Sequence, residues 1–349
     1  MNPNDISLTY RQRFLKNQLS FNKKYKAIFD KIADDFSLLA NDPNMRFSKA
    51  FKFNGVVNKK IDVIIESFNS QILELTEEEI KYSWNLSNSK NDEIVSDYIR
   101  TISIIKTSQN AKYYLPNIPA LKAFISGDKG AGTLSDAIWK VGAQFRSELE
   151  THLGLGMING ASASTISRRI RQYLKSPDSF FRRVRDKNGK LIASKAMIEN
   201  KSGQGVYNSA FRNAMRTART NTNQSFQLAD SIRWRQLPMV IGIEIKLSAQ
   251  HPEYNYPEIC EELAGIYPKT YIFIGNHPQC LCVAVPILMP QKDFKEYLKG
   301  NKPLKAEQIT DYPPNFKEFW KENFDKYSNY KTMPFIMEEN LEAIKKAIK

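Results

Sequence analysis

From Ser7 to Ala40 the apolar residues Phe14, Phe21, Tyr25, Ile28, Ile32 and Phe36 recur at helical intervals. They predict one or two amphipathic helices that end before Asn41-Asp-Pro-Asn44. The same spacing over 61–75, 91–107 and 133–149 predicts a second helical group, with Ser126-Gly-Asp-Lys-Gly-Ala-Gly132 as a connecting loop and Ser135 and Asp136 as capping residues. Residues 1–150 thus read as almost wholly helical and carry no recognisable chemical motif. Gly154-Leu-Gly-Met-Ile-Asn-Gly160 reads as a flexible joint, and 164–174 as a short basic helix. The stretch from Phe180 to Ser194 alternates and turns at Asn188-Gly189, a hairpin signal.

Over 203–235 a long helix is expected. Val206, Ala210, Ala214 and Ala218 form one small apolar stripe, and Arg212, Arg216 and Arg219 form a cationic one. Beyond Pro238 the period shortens to two. Segments 240–247 and 281–288 are strand-like and flank a proline-rich stretch containing a short helix at 258–264. Residues 291–349 return to Lys/Glu-rich helical sequence, broken at Pro313-Pro314, and read as a helical tail that wraps or docks. The expected class is α+β: a mainly helical N-terminal region (1–150), a module (161–290) comprising a basic belt (161–240) and a small Cys/His-containing α+β part (240–290), and a helical C-terminal tail (291–349).

Composition narrows the possibilities. The chain has 349 residues and a formal charge of +14, from 51 Lys+Arg against 37 Asp+Glu, and its 42% apolar content is enough for a buried core. No run reaches the roughly twenty apolar residues of a membrane helix, so no membrane segment is expected. The opening Met1-Asn-Pro-Asn-Asp-Ile6 lacks the basic-then-apolar pattern of a secretory signal. Three cysteines cannot build a disulfide scaffold and suit a reducing compartment.

The charge is also local. Residues 161–240 hold 16 basic and 4 acidic side chains, a balance of +12 that leaves only +2 elsewhere, and they hold 11 of the 16 arginines. Arginine's planar fork suits phosphate and carboxylate, so an acidic partner is expected. Arg168, Arg169, Arg171, Arg182, Arg183 and Arg185 are the preferred contacts to double-stranded DNA, while Arg212, Arg216 and Arg219 either join them or pair with acidic groups in the core.

All three cysteines and two of the three histidines fall between 251 and 282: His251, Cys260, His277, Cys280 and Cys282. Residues two apart on a strand share a face, so Cys280 and Cys282 can point at one centre, and zinc takes four such ligands. Three readings stay open: a zinc site, buried free thiols with turn-forming histidines, and a disulfide from Cys260 to Cys280 or Cys282. His251-Pro-Glu253 with Pro278-Gln-Cys280-Leu-Cys282 echoes the pattern of zinc deaminases, but Cys-x-Cys stands where Cys-x-x-Cys belongs.

Several blocks then combine. Gly203-Gln-Gly-Val-Tyr-Asn-Ser-Ala-Phe-Arg-Asn-Ala-Met-Arg-Thr-Ala-Arg-Thr220, Val240-Ile-Gly-Ile-Glu-Ile-Lys-Leu-Ser248, His251-Pro252, Glu258-Ile-Cys-Glu-Glu-Leu-Ala-Gly265, Tyr267-Pro-Lys269 and His277-Pro-Gln-Cys-Leu-Cys282 follow in an order and spacing that resembles the phage Mu F-like minor head protein family of head-morphogenesis proteins. The resemblance covers roughly 160–290. This chain departs from the family's pattern with Asn221 in place of Glu, Glu258 and Glu261 flanking Cys260 in place of Asp, and Leu281 in place of Arg. The resemblance implies a non-enzymatic, low-copy component of the procapsid or virion, assembled in the host cytoplasm, that contacts portal and capsid proteins and DNA. Two other functions compete with it: a metal-dependent DNA-modifying or hydrolytic enzyme built on the Cys/His cluster with Glu253, Glu258 or Glu261, and an assembly scaffold independent of DNA.

Overall fold

The computed structural model describes residues 2–43, 53, 55–100, 102, 111–127, 132–175, 184–185, 187–189, 191–192, 209–248, 258–300, 308–330 and 333–348. Its elements are α1 (Pro3–Ser37), α2 (Gly55–Ile99), α3 (Ile118–Ser126), α4 (Leu134–Ile158), α5 (Ala163–Lys175), β1 (Val184–Arg185), β2 (Leu191–Ile192), α6 (Ala210–Gln236), β3 (Val240–Lys246), α7 (Ile259–Glu262), β4 (Gly265–Tyr267), β5 (Val283–Leu288), α8 (Gln291–Leu298), α9 (Pro314–Ser328) and α10 (Phe335–Ile348). The protein is mostly helical with a small three-stranded sheet, the α+β arrangement the periodicities predict. No helix among the described residues is long and apolar enough to cross a membrane.

The chain divides into two compact units that do not follow sequence order. Residues 1–18, 78–131 and 219–349 form the first, and 19–77 with 132–218 the second. The divisions fall inside α1, α2 and α6, so each of these helices supplies a part to each unit. The segments 1–150, 161–290 and 291–349 are therefore redistributed by the contacts.

In the first unit, β3 lies between β4 and β5, antiparallel to both, with Ile243 opposite Tyr267 and Pro286 and a register shift between Val240 and Gly242. The C-terminal helices are part of this unit's core. Phe316 and Trp320 of α9 and Ile336, Met337 and Ile344 of α10 are buried in the same cluster as Tyr267, Tyr271 and all three cysteines. Two asparagines fasten them to the backbone. Asn340 accepts from Ile272 N and donates to Ile272 O, both at 2.9 Å, and Asn315 donates to Glu262 O and Ala264 O at 2.6 and 2.8 Å.

The helix α2 runs unbroken for 45 residues, where the sequence predicts separate helices over 61–75 and 91–107. The polar residues that interrupt its apolar pattern are buried against α6. Asp230 accepts from Ser87 Oγ at 2.6 Å, Asn91 Nδ2 at 2.7 Å and the Lys90 ammonium, and that ammonium sits 4.7 Å from the Phe226 ring centre and 5.3 Å from Trp234. Burial lowers the Lys90 pKa, against the opposing pull of Asp230. Arg233 donates to Asn88 and Asp92, each at 3.0 Å, and to the carbonyl of Tyr113.

The second unit is helical around an aromatic centre. Phe29 of α1 packs against Phe68 of α2 and Phe145 of α4, both at 4.8 Å between ring centres, and edge-on to Phe211 of α6 at 5.2 Å. The expected joint at 154–160 is helical up to Ile158. Gly156 is a packing residue, because a Cβ there would lie 2.4 Å from Ile166 Cγ1 of α5. Thr133, rather than Ser135, caps α4, in a reciprocal box with Asp136. The hairpin at Asn188-Gly189 is present: Val184 pairs with Ile192 and Arg185 with Leu191, and Gly189 has φ +77°.

Glu148 is buried where α6 begins. Its Oε1 accepts from Ala210 N at 2.8 Å and Gln144 Nε2 at 2.9 Å, and burial raises its pKa from 4.5 to about 8.

Two predictions follow from these buried charges. Replacing Asp230 by Ala strands Lys90 and is expected to cost about 3–5 kcal/mol in denaturant unfolding, whereas Lys90→Met with Asp230→Leu recovers most of it; a single variant as stable as the parent would show that the pair is not sealed. For Glu148 the folded state holds the proton more tightly than the unfolded chain. The stability it contributes is therefore complete below about pH 4.5 and is lost as pH rises through about 8. Glu148→Gln cannot ionise, so its melting temperature relative to the parent should rise between pH 5 and pH 8. A difference independent of pH would contradict a protonated Glu148.

Candidate metal centre

Cys260 is the second residue of α7, a single turn placed by its own acids. The Glu258 side chain accepts from Cys260 N at 3.2 Å, and Glu261 Oε2 accepts from Glu258 N at 3.3 Å. Glu258 and Glu261 therefore form a reciprocal helix cap.

Cys280 and Cys282 lie before β5 rather than in it, so strand alternation does not align them. A tight turn does. Cys280 N donates to His277 O at 3.0 Å, Gln279 adopts φ +62°, and Gln279 N donates to Thr220 Oγ1 of α6 at 3.1 Å. Gly275, at φ +95°, leaves room for this turn, since a Cβ there would stand 3.0 Å from Cys280 Cβ.

The three sulfurs lie within 4.8 Å of one another, with each cysteine no more than 2% exposed. All three thiols are free, with no disulfide from Cys260 to Cys280 or Cys282. Cys260 Sγ and Cys280 Sγ are 3.6 Å apart. A tetrahedral zinc with bonds of about 2.3 Å separates its sulfurs by about 3.8 Å, so the spacing matches a shared ion. Cys260 also belongs to a second set with Glu258 and His277, whose ligand atoms again lie within 4.8 Å. There His277 Nε2 is 3.0 Å from Glu258 Oε1, and Nδ1 faces Pro278 O at 2.9 Å. Three soft sulfurs beside an imidazole are the donor chemistry zinc favours. His251, the fifth candidate ligand, lies outside the described residues.

The charge of the centre is shared unequally. Hydrogen bonds from Cys260 and then Cys282 pull the Cys280 thiol well below the ordinary range, and the bond to Cys280 pushes Cys260 far above it. Arg11 of α1 answers this charge from inside the protein. It is fully buried, donating from Nη2 to Leu281 O at 2.9 Å and from Nη1 to Asn223 Oδ1 at 2.8 Å. Burial lowers it to about 10, and Cys280 and Cys282 pull the other way. Gln227 Nε2 donates to Cys282 O at 3.2 Å. Sequence reasoning misses Arg11, Asn223 and Gln227, which carry no motif and sit up to 270 positions from the backbone they hold, and it gives no role to Thr220, the last residue of its resemblance block.

The described members of the basic belt fall in different places. Arg168 and Arg171 of α5 line a common cleft, whereas the exposed Arg169 of the same helix is not among its lining residues. Arg212 donates to Lys175 O at 3.0 Å and so closes the end of α5. Arg216 is half-buried and Arg219 exposed, the first in the second unit and the other in the first. Arg182, Arg183 and the side chain of Arg185 lie outside the described residues.

A zinc centre predicts close to one equivalent of zinc in protein purified without chelator. Cys280→Ser with Cys282→Ser should abolish retention, and zinc should leave as pH falls because thiolates must be re-protonated. Protein that holds no zinc and whose melting is unmoved by a strong chelator would sink this assignment.

Set against protein-family models, curated proteins and solved structures, the chain matches none of them.

Proposed function

We propose that this protein is a low-copy structural component of a phage procapsid or virion, of the Mu F-like head-morphogenesis type. It would assemble in the host cytoplasm and contact portal and capsid proteins and packaged DNA. One observation carries the reading. Blocks of the resemblance that are distant in sequence meet at a single point: Thr220 on α6, Glu258–Gly265 on and after α7, and His277–Cys282. Residues that share an order and spacing with a family also share one physical task here, holding a cysteine centre together.

The character of that centre favours a structural role over catalysis. A catalytic zinc keeps one position open to water or substrate, and these three sulfurs are sealed beneath α7 and the 277–282 turn. Zinc in this setting contributes folding energy by clamping α7 to the start of β5. The alternative of a metal-dependent enzyme would need His277 and Glu258, the more exposed members of the cluster, to leave their mutual contact and present a reactive group. No such opening is needed for a clamp.

The reading is tested by fractionation. Particles from the phage or prophage that encodes the chain are separated into DNA-free procapsids and filled heads, then probed with an antibody. The expected result is a few copies per particle in both fractions, with Cys280→Ser/Cys282→Ser reducing incorporation severalfold. Absence from both fractions would overturn the reading. Recovery only from filled heads, with release by nuclease, would replace it with that of a DNA-borne passenger.

A further inference from the structure

Within the second unit, α5 and α1 enclose a polar cleft of about 410 Å³ lined by Lys26, Asp30, Arg168, Arg171, Gln172 and Lys175. Four cations face one acid. Asp30 is paired with Lys26, and Arg171 reaches Asp34 at 3.3 Å. Arg168 and Lys175 are exposed and have no acidic partner among the described residues. The helix that carries them, Ala163–Lys175, contains no acidic residue at all.

Arg168, Arg171 and Lys175 stand at i, i+3 and i+7, one face of the helix. Seven residues at about 1.5 Å each make a straight cationic row about 10 Å long. A strand of duplex DNA advances about 3.4 Å per nucleotide, so the row spans about three backbone positions. The opposite face of α5 is apolar and buried through Ile166, Ile170, Tyr173 and Leu174, which fixes the direction of the row. One objection is that a helix C-terminus repels anions. Here the guanidinium of Arg212 covers the carbonyl of Lys175 and supplies positive charge where the helix would be negative.

We propose that this cleft is a sequence-independent binding site for the phosphodiester backbone of DNA. Arg168 and Lys175 make the phosphate contacts with Arg171 between them in the row, and Lys26 of α1 forms the far wall. The proposal deepens the head-protein reading and rests on it for the identity of the partner. An acidic protein segment shares the negative charge, but a regular run of phosphates is the better match to a straight row with two planar arginine forks.

The test uses the full-length protein, a fluorescent 30-base-pair duplex of arbitrary sequence, and anisotropy over a salt series. Arg168→Gln with Lys175→Gln removes two exposed side chains that hold nothing in the fold. Arg169→Gln, on the same helix but outside the cleft, removes a matched charge. The double variant is expected to lower the slope of log affinity against log salt by about 1.8, about 0.9 per lost contact, and to weaken binding by tens of fold near 0.15 M salt. Arg169→Gln should leave the slope close to that of the parent. No DNA binding by the parent, an unchanged slope in the double variant, or an equal loss in Arg169→Gln would each overturn the assignment. So would tighter binding of polyglutamate than of DNA with the same dependence on Arg168 and Lys175, which would make the cleft a site for an acidic protein. Incorporation into particles is scored separately, so a failure of the cleft and a failure of the head-protein reading are told apart.

Discussion

A carboxylate sealed in the interior, Asp230, sets the terms for the helices around it. Its two oxygens have to be satisfied by groups that are themselves buried, and Ser87, Lys90 and Asn91 of α2 do this. Breaking such a constellation leaves an unpaired charge in low dielectric, which costs far more than the net worth of the pair. The position and rotation of α6 on α2 within the first unit follow from that penalty. Apolar contact alone would tolerate a slipped register; a buried ion pair with two neutral donors does not.

Once α6 is placed, so is the cysteine centre. Thr220, Asn223 and Gln227 lie one to three turns before Asp230, and they engage Gln279 N, the guanidinium of Arg11 and Cys282 O. Arg11 adds positive charge in a dry interior beside Cys280, the one thiol of the three whose pKa is lowered, by hydrogen bonds from its neighbours. Fully buried, it donates to the carbonyl between two of the cysteines. The centre is therefore assembled by parts of the chain that share no local sequence signal, and its donors are held by hydrogen bonds to backbone rather than by the cysteines' own strand. A metal held this way would reinforce an arrangement already specified by α6 and α1.

The second unit uses its polar residues differently. Glu148 meets the first backbone N–H of α6, and Arg212 covers the last carbonyl of α5, so two helix ends are satisfied by long side chains from elsewhere. The basic belt is divided among tasks in consequence. Arg212 is a closing group, Arg233 in the first unit ties α2 to α6, and among the described residues of the second unit α5 presents exposed Arg168, Arg169 and Lys175.

The helical period over α1, α4, α5 and α6, the Asn188-Gly189 hairpin and the two longer strands were legible because each depends on neighbours a few positions away. A heptad of apolar spacing or a two-residue turn states its own geometry. The chemistry at Cys260, Cys280 and Cys282 was legible as a set of residue types for the same reason, since clustering of rare ligands is visible in a linear string. What the linear string could not carry was any decision that rests on a distant partner. Ser87, Asn88, Lys90 and Asn91 read as an interruption of α2 because their partners are on α6, about 140 residues away. Gly156 reads as part of a joint because the side chain that needs its space, Ile166, belongs to the next helix. Residues 291–349 read as a tail because the sheet they cover is complete in sequence before they begin. The sequence by itself determined the helical and strand character of the segments whose period is local and the set of residue types that could bind a metal. Only the tertiary structure decided that Cys260 faces Cys280 across 20 residues, with Cys282 beside them and Arg11 behind, because convergence is a property of packing, and packing is read between segments, not along one.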